Sequence, residues 1–243
     1  MSTQLQEARR GHNTAAMRAA ARTEHVPVEK VRCEVARGRA VIPRNPAHRR
    51  LKPAVIGNAF RTKVNANIGC SPGRSSLPEE IRNMQIAISV GADCVMDLSV
   101  GPHLSTIRAR ILESCTVPLG TVPIYEAFWR AGGQVENLTE DLLLSVIRRQ
   151  AEEGVDFMTI HAGLLKRLVP MALKRRLGIG RRGGAIVAKW MVHHRQENPF
   201  FSRWDDIMAI CREHDVTVSL GDGLRPGCLA AASDKPQFAE LDV

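Results

Sequence analysis

The sequence predicts an α/β protein of the (β/α)8 TIM-barrel type, incomplete at about six βα units, behind a small helical N-terminal region. Three observations lead there. From Lys63 onward, short β-branched runs alternate with amphipathic helical runs, the order that builds parallel sheets. Several strand-like runs are followed at once by glycine. Chemistry-bearing residues (Asn67, Asp97, Tyr125, His161, Arg182, Asp222 and Arg225) fall at the C-terminal ends of these runs, where barrels of this type carry their sites. A doubly wound sheet binds mostly at one switch point instead of at every strand end. Six strands are countable, and six cannot close the usual barrel of eight.

Residues 2–40 read as two or three short helices. Thr3 caps the first, Ala15–Arg22 is Ala-rich, and Pro27 suits the first turn of the next, which Gly38 stops. Arg39–Pro53 holds three prolines and reads as an extended connector. Lys63–Gly69 is the first barrel strand, followed by a helix over Pro78–Val90 with Glu79 and Glu80 in its first turn. Asp93–Leu98 is the second strand, Leu104–Ser114 a helix, Val117–Val122 the third strand and Ile124–Ala131 a helix. Thr139 caps a long helix over Glu140–Glu153, and Val155–His161 is the fourth strand. Leu164–Arg176 reads as a basic helix kinked at Pro170, and Leu177–Arg181 as a weak fifth strand. Ala185–His194 is a helix, and Phe201–His214 contains another with Ser202 as its cap. Asp215–Val218 opens the sixth strand, and an amphipathic segment over Leu229–Leu241 closes the chain.

The 243 residues suffice for one large domain or two small ones. The expected division is a helical and extended basic region over 1–62 and a partial barrel over 63–243. Aromatic residues make up 4% of the chain, so its core must rest on Val, Ile, Leu, Ala and Met. No apolar run is long enough for a membrane span, and the polar, basic N-terminus does not read as a secretory signal. A cytoplasmic location without membrane contact is the expectation. The six cysteines include no C-x-x-C pair, so they read as free thiols. Residues 1–62 carry 13 Lys and Arg against 4 Asp and Glu, the whole net charge of +9. Those cations are interleaved with Ala, Val and Glu at helical spacing. They read as a solvated face or a subunit contact, ahead of a nucleic-acid surface.

The most pointed stretch is Ser219–Gly227, S-L-G-D-G-L-R-P-G. Glycines allow close backbone approach, an aspartate can hold a hydroxyl or amine, and an arginine can fork onto phosphate. Alone it reads somewhat better as an ordinary strand-to-helix turn with a surface ion pair. His161 alone fits a core histidine, Met96 fits barrel filling and Asp97 fits a helix cap. Adjacent side chains diverge on a helix, so His193-His194 reads as a surface pair and not a metal site. Asp205-Asp206 and Glu152-Glu153 read as solvated faces.

Six motifs occur in order: N-A-N-I-G (65–69), G-A-D-C-V-M-D-L-S (91–99), P-L-G-T-V-P-I-Y (118–125), T-I-H-A-G (159–163), R-G-G (182–184) and S-L-G-D-G-L-R-P-G (219–227). Together, and over the whole chain, they resemble the phosphomethylpyrimidine synthase family. The resemblance implies a non-canonical radical S-adenosylmethionine lyase of thiamine biosynthesis with a (β/α)8 barrel. Such an enzyme converts 5-aminoimidazole ribonucleotide to 4-amino-5-hydroxymethyl-2-methylpyrimidine phosphate, using a 4Fe–4S cluster and zinc, and tends to form homodimers. It implies substrate contacts at Asn67, Met96, Tyr125, His161, Arg182, Gly183, Asp222, Gly223, Leu224 and Arg225. Arg181 joins that set as a contact that departs from the family, where serine is usual. Cys70 and Val100 also replace usual polar residues.

The family motifs that hold the cluster and zinc do not occur in this sequence. The chain is therefore expected to be a C-terminally truncated form, inactive on its own, with no metal ligands and no assigned catalytic residue. Two other readings stay open: a 5-hydroxybenzimidazole synthase on the same scaffold, and a non-catalytic relative that only binds the ribonucleotide.

Overall fold

Three short helices lead the chain, each starting where a cap permits. In this computed structural model, which describes residues 2–70 and 76–243, Thr3 accepts the Gln6 N–H ahead of α1 (Gln4–Arg9). The Gln6 side chain accepts the Thr3 N–H in return, completing a capping box. Thr14 accepts the Met17 N–H ahead of α2 (Ala15–Thr23), and Pro27 precedes α3 (Val28–Ala36). Ala8, Met17, Ala20, Val31 and Val35 pack into one core with Ile42 and Val55. Gly38, at φ +71°, ends the run in the left-handed conformation common just past a helix. The Pro-rich connector carries β1 (Ala40–Val41), paired antiparallel with β2 (Ile56–Gly57).

The alternating pattern then takes shape as β3 (Asn65–Ile68), α4 (Leu77–Ser89), β4 (Cys94–Asp97), α5 (Leu104–Ser114), β5 (Leu119–Thr121), α6 (Pro123–Arg130), α7 (Glu140–Glu153), β6 (Phe157–Ile160), α8 (Val169–Leu173), α9 (Arg182–His194), α10 (Pro199–Ser202), α11 (Trp204–Glu213), β7 (Thr217–Leu220) and α12 (Lys235–Leu241). The strands stand in the order β3-β4-β5-β6-β7. From β3 to β6 they pair in parallel, with Asn67 opposite Met96 and Thr121 opposite Met158. This is the α/β class the sequence predicts, with five strands side by side where six were expected.

The chain divides into two compact units: Met1–Val122 with Arg148–Met158 and Ala209–Val218, and Pro123–Ile147 with Thr159–Met208 and Ser219–Val243. In the first, Ile68, Met84, Val95, Ile111 and Leu119 form the core of the sheet and its helices. The connector is pinned there by one buried carboxylate. Asp156 accepts the Asn45 N–H (2.8 Å), the Leu119 N–H (2.8 Å) and the His48 Nδ1–H (2.6 Å). The second unit holds Ile124, Leu138, Leu143 and Trp190 in its interior, and the Trp190 Nε1–H donates to the Leu138 carbonyl (2.7 Å).

Three sequence expectations need correction. Leu177–Arg181 is not a strand: Gly178 sits at φ +55°, Gly180 follows two residues later, and Leu177 is exposed. Glycines cost a strand both order and packing surface. Leu164–Arg176 is not one kinked helix but a 3₁₀ turn over Lys166–Leu168 followed by α8. Pro170 lies in the first turn of α8, where its missing N–H costs nothing. The cap before the Phe201 region is Asn198, which accepts the Phe200 N–H, and not Ser202.

Candidate functional site

His161 follows directly on the end of β6, and the second unit builds a cluster around it. The residue is 6% exposed, and its Nδ1 has no hydrogen-bond partner. Burial pushes its pKa down to about 4, Asp222 opposes that and Arg225 adds to it, so the ring is neutral at pH 7. Two glycines make room for it. A Cβ on Gly183 would collide with the ring, and one on Gly221 would lie 2.9 Å from Cδ2. The His161 carbonyl, with those of Ala162 and Leu164, accepts from Asn198 Nδ2 at 2.7, 3.3 and 2.9 Å.

α9 starts with cations where a helix favours anions. Arg181 is its N-cap, Arg182 its first residue, and no acid lies in its first turn. The Arg182 guanidinium sits 4.8 Å from the centroid of the Tyr125 ring, a cation–π distance. Tyr125 comes from the first turn of α6. Burial raises its phenol above the ordinary value, and the positive charges of Arg182, Arg181 and Arg225 oppose that rise.

β7 leads into the loop that follows Leu220. Asp222 and Arg225 pair at 3.0 Å, each about half exposed. Between them, Gly223 and Leu224 turn their N–H groups inward, and Leu224 is fully buried. The chain crosses close by, since a Cβ on Gly184 would run into the Gly223 carbonyl. Tyr125, His161, Arg181, Arg182, Gly183, Asp222, Gly223, Leu224 and Arg225 thus all belong to the second unit.

Asn67 and Met96 belong to the first unit, where they are opposite partners on β3 and β4. Asn67 is exposed and accepts from Asn65 Nδ2 (3.1 Å), while Met96 is half-buried. Asp97 caps no helix. It is buried and accepts the Ser99 N–H (2.9 Å).

Among the described residues, no group of three or more His, Cys, Asp or Glu is placed to hold a metal. Burial raises the thiols of Cys94, Cys115 and Cys211 to about 12, 11 and 11, so these side chains are protonated at pH 7. His194 Nε2 lies 2.8 Å from the Val135 carbonyl, and His193 is 3.8 Å from Glu136. The donors these residues offer do not fit a 4Fe–4S cluster or zinc.

Two residues of the cluster escape a sequence reading. Asn198 shows only as an Asn-Pro helix start, with no sign that its amide gathers three carbonyls. Glu240 lies in a short amphipathic helix with no motif around it, yet it accepts both inward-turned N–H groups of the loop after β7.

A guanidinium over an aromatic ring, two further arginines in the same unit and a buried neutral histidine define a class: an α/β protein with a candidate site for a small anionic molecule. The particular relationship is more specific. Residues 3–243 match the Radical SAM ThiC family, and the chain belongs to it. It is 52% identical over its full 243 residues to the phosphomethylpyrimidine synthase of Natronomonas pharaonis and covers 51% of that protein. The chain therefore spans about half the length of this curated relative. A solved dihydropteroate synthase of Xanthomonas albilineans, in complex with indole-2-carboxylic acid and 6-chloroguanine, is 12% identical, with a TM-score of 0.38 over 83% of this chain and 71% of that one.

Proposed function

We propose that this chain carries the ribonucleotide-binding part of a phosphomethylpyrimidine synthase, and that the site takes 5-aminoimidazole ribonucleotide. The observation behind the reading is the Arg182 guanidinium 4.8 Å over the Tyr125 ring, with Arg181 as the cap before it and Arg225 and neutral His161 in the same unit. Phosphate dianion suits such a group, because guanidinium forks match its oxygens and unscreened cations crowd the start of α9. Tyr125 and His161 then face the ribose or imidazole. His161 Nδ1 is a free acceptor or donor there, which explains a buried ring with an unused nitrogen. Asp222 takes a hydroxyl or amine once Arg225 turns to phosphate.

In the whole protein this binding serves the family's conversion of the ribonucleotide to 4-amino-5-hydroxymethyl-2-methylpyrimidine phosphate, within a (β/α)8 barrel and a homodimer in the cytoplasm. The radical chemistry with S-adenosylmethionine, the 4Fe–4S cluster and zinc is assigned to no residue of this chain. Calorimetry tests the binding step. The chain should give saturable heat with 5-aminoimidazole ribonucleotide, and Arg182→Ala or Arg225→Ala should weaken it about 10- to 100-fold, the loss of one hydrogen bond to a charged group. No saturable heat at millimolar ligand would sink the reading.

A further inference from the structure

We infer that Glu240 is a positioning residue: its carboxylate clamps the loop that carries Asp222 and Arg225 by accepting two consecutive backbone amides. Gly223 N–H donates to Oε1 at 2.7 Å, and Leu224 N–H donates to Oε2 at 2.6 Å. Each oxygen has its own donor, so the contact fixes the orientation of the loop as well as its distance. Successive N–H groups aimed one way form a concavity that accepts an anion, and here the anion is the protein's own. Glu240 is 7% exposed and Leu224 is fully buried, so water competes poorly for these amides.

The packing around the clamp leaves the loop few alternatives. Gly184 approaches the Gly223 carbonyl too closely for any side chain. A Cβ on Gly163 would lie 2.9 Å from the Glu240 carbonyl, so α12 also abuts the turn that follows His161. Glu240 thereby ties together the two strand-end segments that present His161 and the Asp222–Arg225 pair. It makes no hydrogen bond to Asp222 or Arg225, which flank the clamped residues on either side. It acts on them through the backbone. That this loop meets a ribonucleotide rests on the proposed function, whereas the clamp itself does not.

The test uses the full chain, labelled for amide NMR, with Glu240→Gln and Glu240→Ala. Glutamine keeps the shape but turns one acceptor into a donor, so one of the two N–H groups loses its partner. Gly223 and Leu224 amide protons should lie downfield in the wild type; both should shift upfield and exchange about tenfold faster in Glu240→Ala, and one of the two should do so in Glu240→Gln, as expected for the loss of a hydrogen bond to a charged group. Affinity for 5-aminoimidazole ribonucleotide, measured well below the unfolding midpoint of each variant, should fall about tenfold, and the midpoint itself should drop because buried N–H groups lose their acceptor. Unchanged amides, or changed amides with unchanged affinity in a chain that binds, would overturn the inference. If the wild type binds no ribonucleotide, the proposed function fails, and the amide signals alone still decide the clamp. If neither variant folds, exchange in the wild type decides it, because unprotected Gly223 and Leu224 amides would overturn it.

Discussion

A buried imidazole with an unpartnered nitrogen is costly to charge, and His161 carries that cost into acid. Its pKa is about 6.5 unfolded and about 4 folded, so the unfolded chain binds the extra proton first. The stability contribution is whole above pH 6.5 and is lost as pH falls from 6.5 towards 4. The full span is about 3 kcal/mol, taken as an upper bound. Urea unfolding of wild type and His161→Gln at pH 7 and 4 should show the wild type losing about that much more, and parallel losses would rule it out. The glycines beside it answer to a different force. Gly184→Ala sets a methyl against the Gly223 backbone carbonyl, which cannot swing aside. A loss of about 1–3 kcal/mol is expected, as for other overpacked sites. Gly180→Ala, whose Cβ would meet only Gly227 at ordinary contact distance, should stay within about 0.5 kcal/mol. Urea midpoints of the two variants compare them directly.

At the scale of elements, the Pro-rich connector depends on one charge pair. His48 Nδ1 meets Asp156 and Nε2 meets the Cys115 carbonyl (3.0 Å), so both ring nitrogens donate and the ring is an imidazolium. Burial alone would push His48 down, but the Asp156 carboxylate and the Cys115 carbonyl outweigh it and hold the ring above its ordinary value. Its stabilisation is full below pH 6.5 and fades as pH rises through the raised folded pKa. His48→Ala leaves a buried carboxylate unpaired and should cost about 3–5 kcal/mol in urea unfolding at pH 6. A loss under about 1 kcal/mol would show the pair to be dispensable. None of this pairing is readable from the chain, because Asp156 draws its partners from 111, 108 and 37 residues away. What was readable is local. α7 falls where its cap puts it, with Thr139 Oγ1 accepting the Leu142 N–H, and α5 covers the expected Leu104–Ser114 without a side-chain cap, since such signals lie inside the element. Leu177–Arg181 misled because its apolar residues outweighed two glycines in the reading, while the backbone obeyed the glycines. His161 and Asp222 stand just past β6 and β7, as the sequence order suggests, whereas Arg182 opens α9 with no strand directly before it. Glu240 was not legible, because a carboxylate on a surface-looking helix gives no sign that it turns inward to a loop.

At the scale of the whole molecule, long-range repulsion opposes short-range stickiness. The net charge of +9 belongs to residues 1–62, and their acids are already taken: Glu7 by Arg10, Glu29 by Arg32, Glu34 by Arg39 and Glu24 by Lys63. The remaining cations repel other copies at low salt, but the Debye length shrinks from about 30 Å at 0.01 M to about 8 Å at physiological ionic strength. Edge pairing acts at contact distance and survives that screening. Among the described residues, β3 and β7 each have one strand neighbour, which leaves a row of backbone donors and acceptors on each edge strand. Beside those edges Val64 is 58% exposed and Leu220 72% exposed, so apolar surface adds to the invitation. Light scattering should therefore show association that grows with both concentration and salt, without stopping at a dimer. Leu220→Lys puts a charge on the exposed end of β7 and should suppress that growth while leaving the unfolding midpoint within about 0.5 kcal/mol of the wild type. If association instead stops at a dimer and ignores the lysine, the edges are not its cause, and the proposed homodimer gains support.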